Sequence, residues 1–350
     1  MKQIVVLAIL VGVSGCLNPF RTDSIIRVAG PIEAKVVAEI PSTSNEHPII
    51  EMPVDGAKAC DGPRVAIIDV DGLLLNTNLT GPYSSGDNPI DLFREKLDAA
   101  QSNPQCVAVV LRVNSPGGSI TATDVMWREL IAFKEKTHKP VVGCIMDLGC
   151  GGGYYLATGC DQIVAHPTSV IGGIGVLLNL YNFQGTLQLA KAEYLSIKAK
   201  ASPKIDLDYR IGLLGEEDKE LLIALADEFH DRFQTVVKQR RPAVKADEVG
   251  TFDGRVFSAR QGLSRGLIDK IGYMPDALET ARQLAQAPAA SAVILHRRGD
   301  VARTQYATTP NVPLQANLLP ISLPGADRNK LPNFLYLWQP DPSMERMSGK

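Results

Sequence analysis

Residues 140–160 read PVVGCIMDLGCGGGYYLATGC, and the fold turns on how this stretch is parsed. Pro140–Met146 is a short apolar run opened by a proline, which predicts a buried strand. Gly151, Gly152 and Gly153 follow, and small and aromatic residues through Ala157 predict a helix that starts abruptly. Glycine lets a backbone approach a ligand closely, and the amides of a helix start are polarised to receive negative charge.

The same rhythm extends outward. RVAIIDVDGLLL (Arg64–Leu75) and CVAVVLRV (Cys106–Val113) read as buried strands. IDLFREKLDAAQ (Ile90–Gln101) carries Leu92, Phe93, Leu97 and Ala100 at helical spacing. Thr123–Lys136 is an amphipathic helix, and Gln162–Pro167 and Ile174–Leu180 are further strands. Strands alternating with helices of this length predict an α/β fold, a repeated βαβ core with a mostly parallel sheet flanked by helices. Beyond it, Glu216–Arg240 is a long helix with acidic residues in its first turn and an apolar face of Leu221, Leu222, Leu225, Phe229, Phe233 and Val236. Asp253–Gly272 holds a turn and a short helix, and Asp276–Gln286 is a helix with Pro275 at its start.

The chain has 350 residues, 45% hydrophobic and 21% charged, with a formal net charge of −2. That balance fits a globular protein and gives no electrostatic footprint for nucleic acid. At the N-terminus, Ile4–Val13 is apolar but too short for a membrane span, and it closes on Val13-Ser14-Gly15-Cys16. This pattern is similar to the bacterial lipoprotein signal, in which the cysteine thiol receives the lipid. It predicts a signal peptide over 1–15, a lipidated Cys16, and an extracytoplasmic protein anchored at the bacterial cell envelope, the outer membrane being favoured. Residues 16–63 read as a proline-punctuated tether with one short strand at Ile25–Val28. Residues 64–287 form the main domain, and 288–350 a Pro-rich, poorly ordered tail in which Val293–His296 and Phe334–Trp338 are suited to local docking. Cys60, Cys106, Cys144, Cys150 and Cys160 show no metal-ligand spacing, so no metal site and no cofactor are expected.

Three glycine-bearing turns follow strands of the expected sheet: Asn114–Gly118, Gly149–Gly153 and Ile171–Gly175. Ligands of open parallel sheets bind beyond the carboxyl ends of the strands, where such turns converge. Two amides, one from Gly117 or Gly118 and one from Gly152, would form an oxyanion hole there.

The run from Leu111 to Val176, with FDGRVFSARQGLSRGLIDKIG further on, resembles the signal peptide peptidase A (SppA) family of membrane-associated serine peptidases. The resemblance spans about 64–286 and implies the ClpP/crotonase-like fold. It also implies a Ser/Lys dyad, with a serine immediately before Gly-Gly-Tyr-Tyr as nucleophile and a neutral lysine as general base. Here Gly151 occupies the nucleophile position, so the side chain is missing. Ile171-Gly172-Gly173-Ile174-Gly175 likewise lacks the hydroxyls the family favours. Counting back from Glu216-Glu217 places Lys204 at the general base, whereas counting forward from Ile197-Lys198 reaches Pro203; Lys198 and Lys200 read as surface charges.

The resemblance therefore implies a peptidase homologue that has lost its ordinary chemistry while keeping a cleft for peptide substrates or ligands. It implies a homo-oligomer, or a mixed oligomer in which an active paralogue supplies the nucleophile. Two alternatives stand beside it: an active peptidase with Cys150 as displaced nucleophile and Lys204 as base, and a crotonase-like acyl-binding enzyme sharing the paired amides. Ser115 belongs to a backbone scaffold in this family, and Tyr154 and Tyr155 are expected to pack the helix.

Overall fold

The computed structural model describes residues 21–27, 33–39, 48–54, 62–78, 87–178, 184–191, 195, 197–201, 204, 215–246, 249–297, 304–307 and 334–338. The expected signal peptide, Cys16 and Cys60 lie outside these residues. So does Val28 of the strand expected in the tether.

A first unit holds an antiparallel pair, β1 (Arg21–Arg27) and β2 (Glu33–Glu39), with Arg21 opposite Glu39 and Arg27 opposite Glu33. The second unit, from Asn45 onward, carries the remaining elements. In chain order these open with β3 (Ile49–Pro53), β4 (Arg64–Leu74), α1 (Pro89–Ser102), β5 (Cys106–Ser119), α2 (Ile120–Thr137), β6 (Val141–Cys150) and α3 (Gly152–Ala157). There follow β7 (Gln162–Ala165), β8 (Val170–Gly172), β9 (Leu177–Leu178), α4 (Gln184–Leu189) and α5 (Glu216–Arg240). The last are β10 (Val256–Ser258), α6 (Ala259–Ser264), β11 (Lys270–Ile271), α7 (Met274–Leu284), β12 (Ser291–Arg297) and β13 (Phe334–Leu337).

The sheet runs in the order β10-β8-β6-β5-β4-β12-β3, with β7 on β6 and β11 on β7. β4, β5, β6, β7 and β12 are mutually parallel where they pair, and β3 closes one edge antiparallel to β12. This is the mostly parallel, helix-flanked sheet expected of the ClpP/crotonase-like fold. Residues of β4 alternate between its faces. Val65 and Ile67 pack with Met274, Leu278 and Ala281 of α7, while Ala66, Ile68 and Val70 join Phe93 and Leu97 of α1 and Met126 and Leu130 of α2. Burial on both faces is why these strands are almost wholly apolar.

The helices begin where their caps dictate. The Asn88 side chain accepts from Ile90 N at 3.0 Å with Pro89 at the start of α1, and Ser119 Oγ accepts from Ala122 N at 3.1 Å to open α2. Ser258 and Gln261 form a capping box at α6.

Several boundaries depart from the sequence reading. β12, placed by sequence in the tail, lies inside the sheet between β4 and β3, and β3 falls in the stretch read as tether. The sheet therefore extends past both limits of the expected 64–287 domain, because the apolar runs at 49–53 and 291–297 complete its edge. Asn114–Gly118 is not a turn: β5 continues through it, with register shifts where it passes β4 and β6. Of the strand expected over Ile174–Leu180, the described residues form a strand only at Leu177–Leu178 (β9), while a separate strand, β8, precedes it and ends at Gly172 and Gly173, both at positive φ. Finally, α5 buries Leu222, Phe233, Val236 and Val237 but leaves Leu221, Ile223 and Leu225 exposed, so its apolar face is used mainly in its C-terminal half.

Candidate functional site

The three glycine segments do converge. Gly151 N donates to Gly172 O at 2.9 Å, and a Cβ on Gly173 would stand 3.2 Å from Gly151 N. A Cβ on Gly117 would stand 2.7 Å from Gly152 N, and one on Gly153 2.6 Å from Ser115 O. These backbones approach more closely than side chains permit, which explains why the segments are built of glycine. The Asp253–Gly254–Arg255 segment supports the third of them: Arg255 O accepts from Gly173 N at 3.0 Å, and Asp253 is ion-paired with Arg255.

Gly151 itself sits between β6 and α3 at φ 49°, ψ −122°. This backbone costs an L-residue about 1–3 kcal/mol and is typical of positions where strain serves a site. A side chain at 151 would point at a peptide bond. Its Cβ would lie 2.4 Å from Tyr336 O, 2.7 Å from Tyr336 C and 3.0 Å from Leu337 N. These three atoms belong to the amide between Tyr336 and Leu337.

That amide is carried by β13, which runs antiparallel to the carboxyl end of β5 (Leu335 opposite Ser119, Tyr336 opposite Gly118, Leu337 opposite Gly117) and to β9. Trp338 N adds a bond to Pro116 O at 3.0 Å. The Tyr336 ring is fully buried, 5.4 Å from Tyr155 in a stacked pair and 4.7 Å from Phe233, and its hydroxyl donates to Phe229 O at 2.7 Å. The apolar run Phe334–Trp338 was a visible signal that this segment docks. Its partners were not, since nothing local specifies β5 and β9.

The expected site residues fall out unequally. Ser115 Oγ is buried, donating to Gly72 O at 2.6 Å and accepting from Gly117 N at 3.1 Å. Ser115 is thus a scaffold residue, the Gly117 N–H is already engaged, and Gly118 is paired with Leu74 of β4 on one side and Tyr336 of β13 on the other. Cys150 is fully buried, its thiol directed to Val170 O at 3.3 Å, and burial pushes it up to about 12. A thiol so placed is inert rather than nucleophilic. Lys204 Nζ donates to the Asp218 carboxylate and lies 3.2 Å from Glu217, and these acidic partners hold its ammonium above the ordinary lysine range. A general base would need the opposite shift. Tyr154 and Tyr155 pack as expected, with Tyr154 Oη donating to Leu267 O at 2.8 Å and Tyr155 Oη to Asp124, which also pairs with Arg232. Thr123 was missed by sequence reasoning. Its Oγ1 is buried without a hydrogen-bond partner, and a Cβ on Gly152 would stand 2.4 Å from it. Among the described residues, no group of three or more His, Cys, Asp or Glu is placed to hold a metal ion.

A strand-to-helix break with convergent glycine amides beyond a parallel sheet defines a cleft of the peptidase and crotonase type. Known proteins narrow this further. The profile of peptidase family S49 matches residues 133–288. A putative protease of Synechocystis is 32% identical over 209 residues, covering 59% of this chain and 72% of that protein. A putative signal peptide peptidase SppA of Enterococcus faecium is 28% identical over 225 residues, 63% of each chain. A chloroplastic serine protease SPPA of Arabidopsis thaliana is 29% identical over 236 residues, 64% of this chain and 33% of that protein. The chain thus spans about a third of the Arabidopsis relative and less than two thirds of the Enterococcus one. It belongs to peptidase family S49, the SppA family.

Proposed function

We propose that this protein is an S49 family member that binds peptides as extended strands and does not hydrolyse them. The observation that carries the reading is Gly151: at the strand-to-helix break, where a side chain would meet the Tyr336–Leu337 amide, the chain has none. The surroundings support it. Cys150 is buried and turned to Val170, and Lys204 is held as an ammonium by Asp218 and Glu217. Neither is in the state that a displaced nucleophile or a base requires.

The Val13–Cys16 pattern supports attachment through lipid on Cys16 at the bacterial cell envelope. Among the described residues no helix is long and apolar enough to cross a membrane. The exposed Leu221, Ile223 and Leu225 of α5 support assembly with further copies or with an active relative.

The test is a hydrolysis assay of the purified chain against unstructured peptides, together with serine- and cysteine-directed acylating probes. No turnover and no labelling at the cleft are expected. Turnover that Cys150→Ala abolishes would overturn the reading. Because removal of a nucleophile costs on the order of 10⁶ in kcat, the assay must resolve rates that far below an active peptidase.

A further inference from the structure

A cavity of about 400 Å³ opens at the carboxyl edge of the sheet, and none of the glycine segments lines it. Its wall is made by the end of β4, the first two turns of α1 and Glu129 of α2. Leu74 pairs with Gly118, so Asn76 enters this wall two residues beyond the glycine cleft. Ligands of open parallel sheets bind beyond the carboxyl ends of the strands, and the volume lies in the range of small-molecule sites.

The fold holds the polar groups of this wall and leaves particular donors and acceptors open. Asn88 commits its amide to the cap of α1 and to Asn76: its Oδ1 accepts from Ile90 N and its Nδ2 donates to Asn76 Oδ1, each at 3.0 Å. Asn76 therefore keeps its own NH₂ as a donor. Arg94 Nε donates to the two oxygens of Asp98 at 3.1 and 3.0 Å, and Arg94 Nη1 donates to Glu129 Oε2. That arrangement leaves Arg94 Nη2 as a donor and Glu129 Oε1 as an acceptor. The Asp91 carboxylate and the Asn78 amide are exposed and have no hydrogen-bond or ion-pair partner among the described residues. Ile90 adds an apolar patch that packs against the core.

We propose that this cavity binds a neutral mono- or disaccharide. An anion would find the guanidinium of Arg94 already held between Asp98 and Glu129, with the Asp91 carboxylate in the same wall. A cation would use the carboxylates and leave the donors of Asn76 and Arg94 unmatched. A hydroxyl both donates and accepts, so the vicinal hydroxyls of a sugar match the amides, the guanidinium and the carboxylates together. Ile90 meets the C–H face of the ring. The site is separate from the peptide cleft and does not depend on how that cleft is read.

The probes are N,N′-diacetylchitobiose and cellobiose, titrated into the full chain and followed by saturation-transfer NMR. Asn78→Ala and Asp91→Ala remove side chains that bond to nothing in the fold, so both variants are expected to fold. Saturation transfer to at least one disaccharide is expected. Each variant should weaken its binding about 10-fold, equivalent to one hydrogen bond of about 1.4 kcal/mol. The non-hydrolysing reading survives any of these results, because its peptide assay does not involve the cavity. No transfer to either disaccharide would overturn the proposal, and so would binding that both variants leave unchanged. Binding of Nα-acetyl-lysine amide, with neither sugar bound, would overturn it by assigning the carboxylates to a cation.

Discussion

Gly151 and Gly72 offer a matched pair for measuring how hard β13 presses on position 151. Both have positive φ, 49° and 67°, so alanine is strained at each. At Gly72 nothing lies within 4 Å of the added Cβ, so Gly72→Ala reports backbone strain alone, about 1–2 kcal/mol. At Gly151 the same methyl meets Tyr336 O at 2.4 Å and Tyr336 C at 2.7 Å, and neither is the flexible end of a side chain. The strand must leave, and with it go the Tyr336 hydroxyl bond, worth about 1 kcal/mol net, and ring contacts worth about 0.5–1.5 kcal/mol. Gly151→Ala is therefore expected to cost about 2 kcal/mol more than Gly72→Ala. In a Tyr336→Ala background, where the strand is already weakened, that excess should vanish. The assay is urea unfolding of the four corners of the Gly151→Ala/Tyr336→Ala cycle, with Gly72→Ala as control. Additive costs, with coupling below about 0.5 kcal/mol, would refute the contact between β13 and position 151.

Other expectations test the frame around the cleft. Burial first, and then neighbouring Asp69, raise the Asp71 carboxyl to about 6, against 3.8 when unperturbed. The folded state thus holds this proton more tightly, so the protonated form favours folding below about pH 4 and that advantage is lost as pH rises through 6. Asp71→Asn should accordingly stabilise the protein at pH 7.5, by up to about 3 kcal/mol, and change little at pH 3.5, as read by urea midpoints at the two pH values. The buried Arg241 guanidinium grips Asp269 through two bonds of 2.7 and 2.8 Å, tying the end of α5 to the segment before β11. Arg241→Met, which strands the partner carboxylate, should cost about 3 kcal/mol, visible as a lowered thermal midpoint. Cys106, Cys144, Cys150 and Cys160 are buried with thiols raised by burial, so iodoacetamide at pH 8 should label them only after unfolding, as mapped by peptide mass spectrometry. Labelling of Cys150 in the native chain would contradict its inert placement.

What the sequence disclosed follows from where each signal is stored. Arg64–Leu75 and Cys106–Val113 were legible because a strand buried on both faces must be apolar throughout, and α1 because Leu92, Phe93, Leu97 and Ala100 share one face. The convergence of the glycine segments was legible from their position after successive strands. By contrast, Asn114–Gly118 reads as a turn by composition, yet β4 on one side and β13 on the other hold it extended. Proline and glycine report local preference, and here partners distant in sequence override it. For the same reason β12 was visible as an apolar run but not as the neighbour of β4. The exposed Leu221 and Leu225 carry the period of a buried face without being buried, because periodicity records which side of a helix is apolar and not how far its packing partner extends.

The glycine at 151 and the strand beside it make each other possible. Any side chain at 151 begins with a Cβ that overlaps the Tyr336 carbonyl, so a nucleophile there and a docked β13 exclude one another. With glycine in place, the strand closes over the amides of β5, and Tyr336 completes an aromatic core shared with Tyr155 and Phe233. The remaining departures point the same way. Lys204 is satisfied by Asp218 and Glu217, and Cys150 faces Val170, so no activating pressure falls on either group. A site selected for turnover needs its strand to leave after every cycle, which sets a ceiling on how tightly the cleft can hold it. On the proposed non-hydrolysing reading no such ceiling applies, and the cleft would be free to specialise in binding.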